Sequence, residues 1–209
     1  MVGYIVTGIL GLILAWMGVS VMTERGAKEP SYTVERAADG YEVRRYEPYL
    51  VAEAEVPPDS NDPLGTGFRM LFDYIRGANR SRTGIPMTKP VLKEKTPGET
   101  IAMTKPVLRQ EEGTKTRVAF VLPAEYTLET VPQPDNPDIH IRAVPARRLA
   151  VVRFSGYATE TVMAEKRSLL AARLARDGLN PRGPFLAAYY NPPWTPPFMR
   201  RNEVLAPLE

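Results

Sequence analysis

The chain opens with an apolar run over residues 1–22 that contains no charged side chain. An α-helix of this length spans roughly 33 Å, which is enough to cross the hydrocarbon core of a bilayer. A soluble helix would carry a polar stripe, and this run has none. The alternative is a cleaved signal peptide, but Ser20-Val21-Met22 matches a small-residue cleavage site poorly. The pattern therefore predicts a single-pass membrane anchor over residues 1–23.

The charges around this run do not determine on which side of the membrane the rest of the chain lies. Arg25, Lys28 and Arg36 follow the run, and no Lys or Arg precedes it, which favours a cytoplasmic body. N-terminal anchors in bacteria nevertheless often deliver the body outward. We expect a linker over residues 24–31 and a membrane-bound domain over residues 32–209, on a side that stays open.

Alternating apolar and polar positions over residues 41–56 predict a half-buried strand that is interrupted at Glu47-Pro48. A helix should follow, because Asp62 suits an N-cap and Pro63 suits the first helical position. Gly77 suits its end. The helix has one apolar face, made of residues at i, i+4, i+7 and i+11: Leu64, Phe68, Leu71 and Ile75.

The second half of the chain repeats this plan. Residues 139–155 alternate again with a break at Pro145, and a second helix is predicted from Thr159 to Asp177. Between the halves, residues 85–92 and 101–108 share seven of eight amino acids. Pro90 and Pro106 occupy the same place in the two copies. Neither can donate a backbone hydrogen bond to a neighbouring strand, which predicts strands with broken ends or edge strands.

These elements predict one α+β domain of roughly eight strands and two helices, built as a duplicated βαββ motif. Near the C-terminus, Arg201-Asn202-Glu203 is interpreted as structural. An Arg–Glu pair and an Asn that satisfies turn backbone would hold the last strand in place.

Composition narrows the chemistry that this domain can perform. The chain has no cysteine and one histidine, so thiolate sites and multi-histidine metal sites are excluded. A formal net charge of +3, with basic and acidic residues interleaved, gives no reason to expect a nucleic-acid partner. Gly-x-Ser-x-Gly, P-loop and Rossmann fingerprints are absent, which argues against an enzyme.

Four motifs carry a resemblance to a known family. They are Tyr41-Glu42-Val43-Arg44-Arg45-Tyr46, the two Ile-x-Met-Thr-Lys-Pro-Val segments, Phe154-Ser155-Gly156-Tyr157-Ala158, and Tyr190-Asn191-Pro192-Pro193-Trp194 with Arg201-Asn202-Glu203-Val204. In this order and spacing the chain resembles the SOUL family of heme-binding proteins. The resemblance implies a distorted eight-stranded antiparallel β-barrel-like sheet with two helices, a fold shared with bacterial effector-binding domains. It also implies non-covalent, non-catalytic binding of heme or another tetrapyrrole.

An apolar groove for such a ligand is expected on the first helix and the repeat. Its predicted members are aromatic, aliphatic and thioether side chains with two arginines for propionates: Phe68, Leu71, Phe72, Ile75, Met87, Met103, Arg76 and Arg200. The apolar helix residues could equally be core, and either methionine could merely fill a gap. In the family, basic residues on the first helix and near the C-terminal proline pairs hold the porphyrin. The matching positions here, near Gly65, Asp73 and Thr195, are not basic.

His140 is the single imidazole that could ligate iron. It lies between Ile139 and Ile141, so it should face solvent or the opposite sheet surface if those two residues face the core. An incidental surface histidine is the competing interpretation.

Two functions remain after this step. The first is a membrane-anchored heme- or tetrapyrrole-binding protein that contacts the bilayer through residues 1–22. The alternative is a small-molecule effector-binding module of the same fold, with an apolar or cationic ligand other than heme.

Overall fold

The computed structural model describes residues 27–81 and 98–209. The predicted anchor over residues 1–22 and the first copy of the repeat, with Met87, lie outside the described residues. None of the helices in the described ranges is long and apolar enough to span a membrane. The anchor, the linker boundaries and the membrane location therefore stay predictions.

Within the described ranges the chain forms two α-helices and eleven strands. The helices are α1 (Pro63–Ile75) and α2 (Glu160–Arg176). The strands are β1 (Tyr32–Ala38), β2 (Tyr41–Tyr46), β3 (Tyr49–Val56), β4 (Asn79–Arg80), β5 (Val107–Glu112), β6 (Lys115–Val121), β7 (Gln133–Pro134), β8 (Ile139–Val144), β9 (Arg147–Phe154), β10 (Leu186–Tyr189) and β11 (Asn202–Pro207). A 3-10 turn covers Pro197–Met199.

Nine of these strands form one antiparallel sheet in the order β1-β2-β9-β11-β10-β5-β6-β3-β8, while β4 and β7 pair separately. Without β1 the strand order is symmetric about the boundary between β10 and β5. Counted outwards from that boundary, the corresponding strands are β10 and β5, β11 and β6, β9 and β3, and β2 and β8. Each half thus contributes a broken strand pair, a helix and a hairpin. This order agrees with the predicted duplication.

The prediction of eight strands was one too few for the main sheet. β1 was missed because most of its side chains are exposed, so its sequence lacks the alternation that marks a half-buried strand. It pairs with β2 at one edge, and β8 forms the other edge. The sheet is therefore a curled half-barrel in the described residues. The second repeat copy was also predicted too long, because strand pairing begins only at Val107.

Both helices form where the sequence predicted them. The Asp62 side chain accepts a hydrogen bond from the Gly65 amide at 2.9 Å, and the Thr159 side chain accepts one from the Val162 amide at 3.3 Å. Gly77, just past the end of α1, has φ of 117°, a conformation that favours glycine. Gly67 faces the sheet, where a Cβ atom would lie 2.6 Å from the Val118 side chain. A glycine that costs helix propensity thus lets α1 approach β6 closely.

The two faces of the curled sheet carry different cores. On the outer face, α1 covers residues such as Ala52, Val118 and Phe120, and α2 covers residues such as Val152 and Val204. The next residue along each strand points to the inner face, because side chains alternate with a period of two. That inner face is filled by its own cluster: Tyr46, Val51, Leu108, Ala119, Val121, Val144, Leu149, Val151, Leu186, Ala188, Tyr190 and Leu205.

A buried ion pair ties β2 to β11 across the inner face. Arg44 Nη1 donates to both carboxylate oxygens of Glu203 at 3.1 Å, and the two side chains are 3% and 0% exposed. Arg201 adds a second cation through its Nε at 3.0 Å. The Tyr190 hydroxyl donates to Glu203 at 2.7 Å. The predicted structural role of Arg201-Asn202-Glu203 is confirmed, since Asn202 also donates to the Gly156 carbonyl.

Replacing Glu203 by glutamine should strongly destabilise the fold. The change leaves Arg44 and Arg201 without their shared counter-charge, and breaking a buried pair typically costs about 3–5 kcal/mol. The matched control is Glu55→Gln on β3, which breaks a more exposed pair with Lys115. We expect a loss below about 1 kcal/mol there. The free energy of unfolding would be measured by urea titration of the full chain in mild detergent. Similar losses for both variants would contradict the assigned role of Glu203.

Candidate functional site

The outer surface of α1 carries two stacked phenylalanines and an arginine. Phe68 and Phe72 are half-buried, with ring centroids 5.7 Å apart and an interplanar angle of 17°. The Arg76 guanidinium lies 5.3 Å from the centre of the Phe72 ring. These three positions are spaced by four residues, so they align along one side of the helix. Phe68 also meets Phe120 edge to face at 5.2 Å, which anchors the stack to the sheet.

Two other predicted groove residues lie beneath this surface. Leu71 and Ile75 are buried in the core between α1 and the sheet, beside Tyr74. The Tyr74 hydroxyl donates to the Pro132 carbonyl at 2.8 Å, so this side of the helix is fully occupied by the protein itself. Leu71 and Ile75 support the surface from below and do not line it.

Met103 is exposed in the segment that leads into β5. This segment meets the C-terminal end of α1, where the Ile101 amide donates to the Ile75 carbonyl at 2.8 Å. Met103 lies two residues from that contact along the chain. Thr104 holds the same segment to β6 through a hydrogen bond to the Val121 carbonyl.

Arg200 lies away from the Phe68–Phe72–Arg76 row, in the loop between β10 and β11. Its Nε donates to the Thr195 carbonyl at 2.8 Å and its Nη2 to the Pro193 carbonyl at 2.5 Å. The guanidinium also covers the Tyr157 ring at 5.0 Å. No sequence spacing indicated this contact, because Tyr157 lies 43 positions away, in the connection to α2.

His140 is exposed on β8, opposite Glu53 of β3. Its neighbours Ile139 and Ile141 pack against the α1 core, so the imidazole points to the other face of the sheet. The prediction that His140 faces away from the core is confirmed. The same geometry separates it from the aromatic surface of α1 by the thickness of the sheet.

Among the described residues, the inner face leaves little space for a ligand. One cavity there measures about 10 Å³ and is lined by residues of seven strands together with Pro30 and Pro106, and a second of the same volume lies beside Gln110 and Arg142. A drug-sized pocket needs roughly 300–1,000 Å³. Burial raises the pKa of Tyr46 to about 12. Burial and the Glu203 carboxylate also raise the pKa of Tyr190, so both phenols stay protonated around Arg44 and Glu203 at neutral pH.

The outer surface of α1 fits a flat, amphipathic anion better than the inner face does. The Phe68–Phe72 pair offers aromatic rings for stacking, and Arg76 offers a cation for a propionate. These groups fit heme held by ring stacking and a propionate contact, without histidine ligation. When bound, heme would supply iron and a conjugated ring to this surface.

A family profile described as SOUL heme-binding protein matches residues 27–207. The chain belongs to the SOUL heme-binding family. Membership supports non-covalent heme binding, and the absence of cysteine agrees with it, since thioether attachment of heme requires cysteine.

Curated relatives carry the same description. The chain is 26% identical to heme-binding protein 1 of Xenopus tropicalis over 171 residues, covering 81% of this chain and 84% of that protein. It is 30% identical to heme-binding protein 2 of Homo sapiens over 139 residues, covering 66% and 63%. It is 28% identical to heme-binding protein 2 of Mus musculus, covering 84% and 85%.

Solved structures share the fold at low sequence identity. The C-terminal domain of EcmrR superimposes with a TM-score of 0.56 at 12% identity, covering 85% of this chain and 98% of that domain. A hydrolase from Listeria innocua gives 0.50 at 8% identity, covering 84% and 94%. These likenesses concern the fold alone.

The buried tyrosines predict an alkaline limit to stability. Tyr46 has an ordinary pKa near 10 when unfolded and about 12 when folded, so above pH 10 the unfolded chain loses a proton that the native state keeps. Stability should be full below pH 10 and fall as pH rises towards 12, by up to about 1.4 kcal/mol per pH unit for each such group. Urea unfolding between pH 9 and 11.5 would measure the slope.

Tyr46→Phe removes this titrating group and should flatten the slope. Tyr157→Phe serves as the control, because the Tyr157 ring is exposed. Identical slopes in the wild type and the Tyr46→Phe variant would contradict the assignment.

Proposed function

We propose that this protein is a membrane-anchored heme- or tetrapyrrole-binding protein that performs no catalysis. The ligand stacks on Phe68 and Phe72 at the outer surface of α1, with a propionate at Arg76. Residues 1–23 form the anchor, residues 24–31 the linker, and the domain over residues 32–209 is held at the membrane.

One observation carries the location of the site. The Phe68–Phe72–Arg76 row is a half-buried aromatic surface with a cation at its end, on a helix whose other side is fixed in the core. A rigid aromatic surface binds a flat ring with little loss of side-chain freedom. Family membership supports heme as the ligand. In the part of the chain that the structure describes, the inner face is filled, which leaves the alternative effector-binding function little space there.

Hemin titration of two arginine variants tests this site. Arg76→Gln should weaken binding by about five- to tenfold, because it removes the cation at the end of the stack. Arg69→Gln is the matched control on the same helix, since the Arg69 guanidinium lies 3.8 Å from Asp62 at the opposite end. We expect the control to remain within about twofold of the wild type. Absorbance at the Soret band would be recorded on the full chain in detergent, with protein-free micelles as the blank.

Phe72→Ser should weaken hemin and iron-free protoporphyrin alike, because stacking does not involve the iron. His140→Ala should leave the Soret band unchanged, since the imidazole lies on the other face of the sheet. If neither arginine variant weakened hemin binding, the site would lie away from α1, and equal losses in both would contradict the specific role of Arg76. Loss of the Soret shift in His140→Ala would make histidine the iron ligand and contradict the proposal.

A further inference from the structure

Four large apolar side chains are exposed at one end of the curled sheet. Met103, Tyr157, Trp194 and Phe198 are 41%, 62%, 54% and 63% exposed. Strand register places the segments that carry these side chains at the same end of the sheet. Tyr189 lies opposite both Val107 and Asn202, and Asn202 lies opposite Phe154. The segments that enter β5, leave β9 and connect β10 to β11 therefore all emerge from this end.

The aromatic part of this surface is held in a defined shape. Arg200 binds two carbonyls of its own loop and covers the Tyr157 ring. The Gly156 amide donates to the Pro197 carbonyl at 2.8 Å, which joins the loop between β10 and β11 to the connection before α2. Among the described residues, the partners of the Arg200 guanidinium are two carbonyls and one aromatic ring, which are all neutral.

The N-terminal segment of the described chain is attached at the same end. Glu29 binds Arg201 at 2.9 Å and Lys105 at 3.5 Å, and the Lys105 amide donates to the Lys28 carbonyl. Arg201 and Lys105 directly follow Arg200 and Thr104, so Glu29 is fixed beside both apolar segments. Seven residues connect Met22 with Glu29, a distance of at most roughly 25 Å even when fully extended.

We infer that this end of the sheet, formed by Met103, Tyr157, Trp194, Phe198 and Arg200, rests in the headgroup layer of the membrane that holds residues 1–22. The inference rests on the anchor of the proposed function. The short connection keeps this surface within reach of the bilayer. Tryptophan, tyrosine and arginine are suited to the interface, because each combines an apolar body with a polar or charged end.

The surface also explains an otherwise costly exposure. Exposed apolar side chains that cluster on one surface mark interaction sites, whereas single ones are ordinary. Val34 on β1 lies towards the opposite end of the sheet, because its register leads through Arg44 and Leu149 to Pro207. Leu169 is exposed in the second half of α2, and Leu128 is exposed in the connection between β6 and β7. The chain thus contains its own comparison positions.

Tryptophan fluorescence of the full chain in phosphatidylcholine vesicles tests the inference. The chain has two tryptophans, so Trp16→Phe leaves Trp194 as the single probe. We expect lipid with a nitroxide near the headgroup to quench Trp194 at least twofold more strongly than aqueous iodide does. The matched control combines Trp16→Phe and Trp194→Phe with Leu169→Trp, which moves the probe to α2. Iodide should quench this control, and the nitroxide lipid should leave it nearly unchanged.

Vesicle flotation separates this inference from the proposed anchor. The chain could float with the vesicles while iodide reaches Trp194 as readily as it reaches the Leu169→Trp probe. This result would overturn the inference and leave the anchor intact. A chain that does not float would overturn both. Phe198→Ser should reduce nitroxide quenching of Trp194 without preventing flotation, because residues 1–22 still hold the chain. The hemin titrations are independent of either result.

Discussion

The buried Arg44–Glu203 pair is the interaction on which the two halves of this fold depend. It joins β2 to β11 across β9, and it draws Arg201, Tyr46 and Tyr190 into one hydrogen-bonded group inside the curled sheet. Burial alone would lower the pKa of Arg44, but the Glu203 carboxylate and the Tyr46 phenol raise it above its ordinary value. The guanidinium therefore stays charged. The curled sheet encloses a buried polar group whose members are hydrogen-bonded to one another.

This polar centre determines where a ligand has room. With the ion pair, two tyrosines and the aliphatic residues of the inner cluster in place, the inside of the half-barrel is core. In the described residues, the proposed ligand surface therefore lies outside the half-barrel, on α1. On α1, Phe68, Phe72 and Arg76 line up because they are four residues apart, and Gly67 allows the helix to lie close to Val118. Phe68 and Phe72 are half-buried and pack against the core below, which holds this row in place.

The same centre connects the domain to its N-terminal segment. Arg201 is shared between Glu203 inside the sheet and Glu29 in the segment that precedes β1. Through this arginine the position of residues 28–31 is coupled to the last strand and to the aromatic loop before it. The described segment around Glu29, the loop with Trp194 and Phe198, and the polar core are thus joined by consecutive contacts.

The sequence by itself determined the local structure of this protein: the caps of both helices, the breaks at Pro48 and Pro145, the duplication, and the orientation of His140. These features depend on near neighbours along the chain, where periodicity and turn chemistry suffice. Of the predicted groove residues, Phe68, Phe72 and Arg76 came together, while Leu71 and Ile75 became core and Arg200 joined another surface. Only the tertiary structure decided that division, because strand order and packing between distant segments determine which face of a helix is covered. The same holds for the contact between Arg44 and Glu203, which are 159 positions apart.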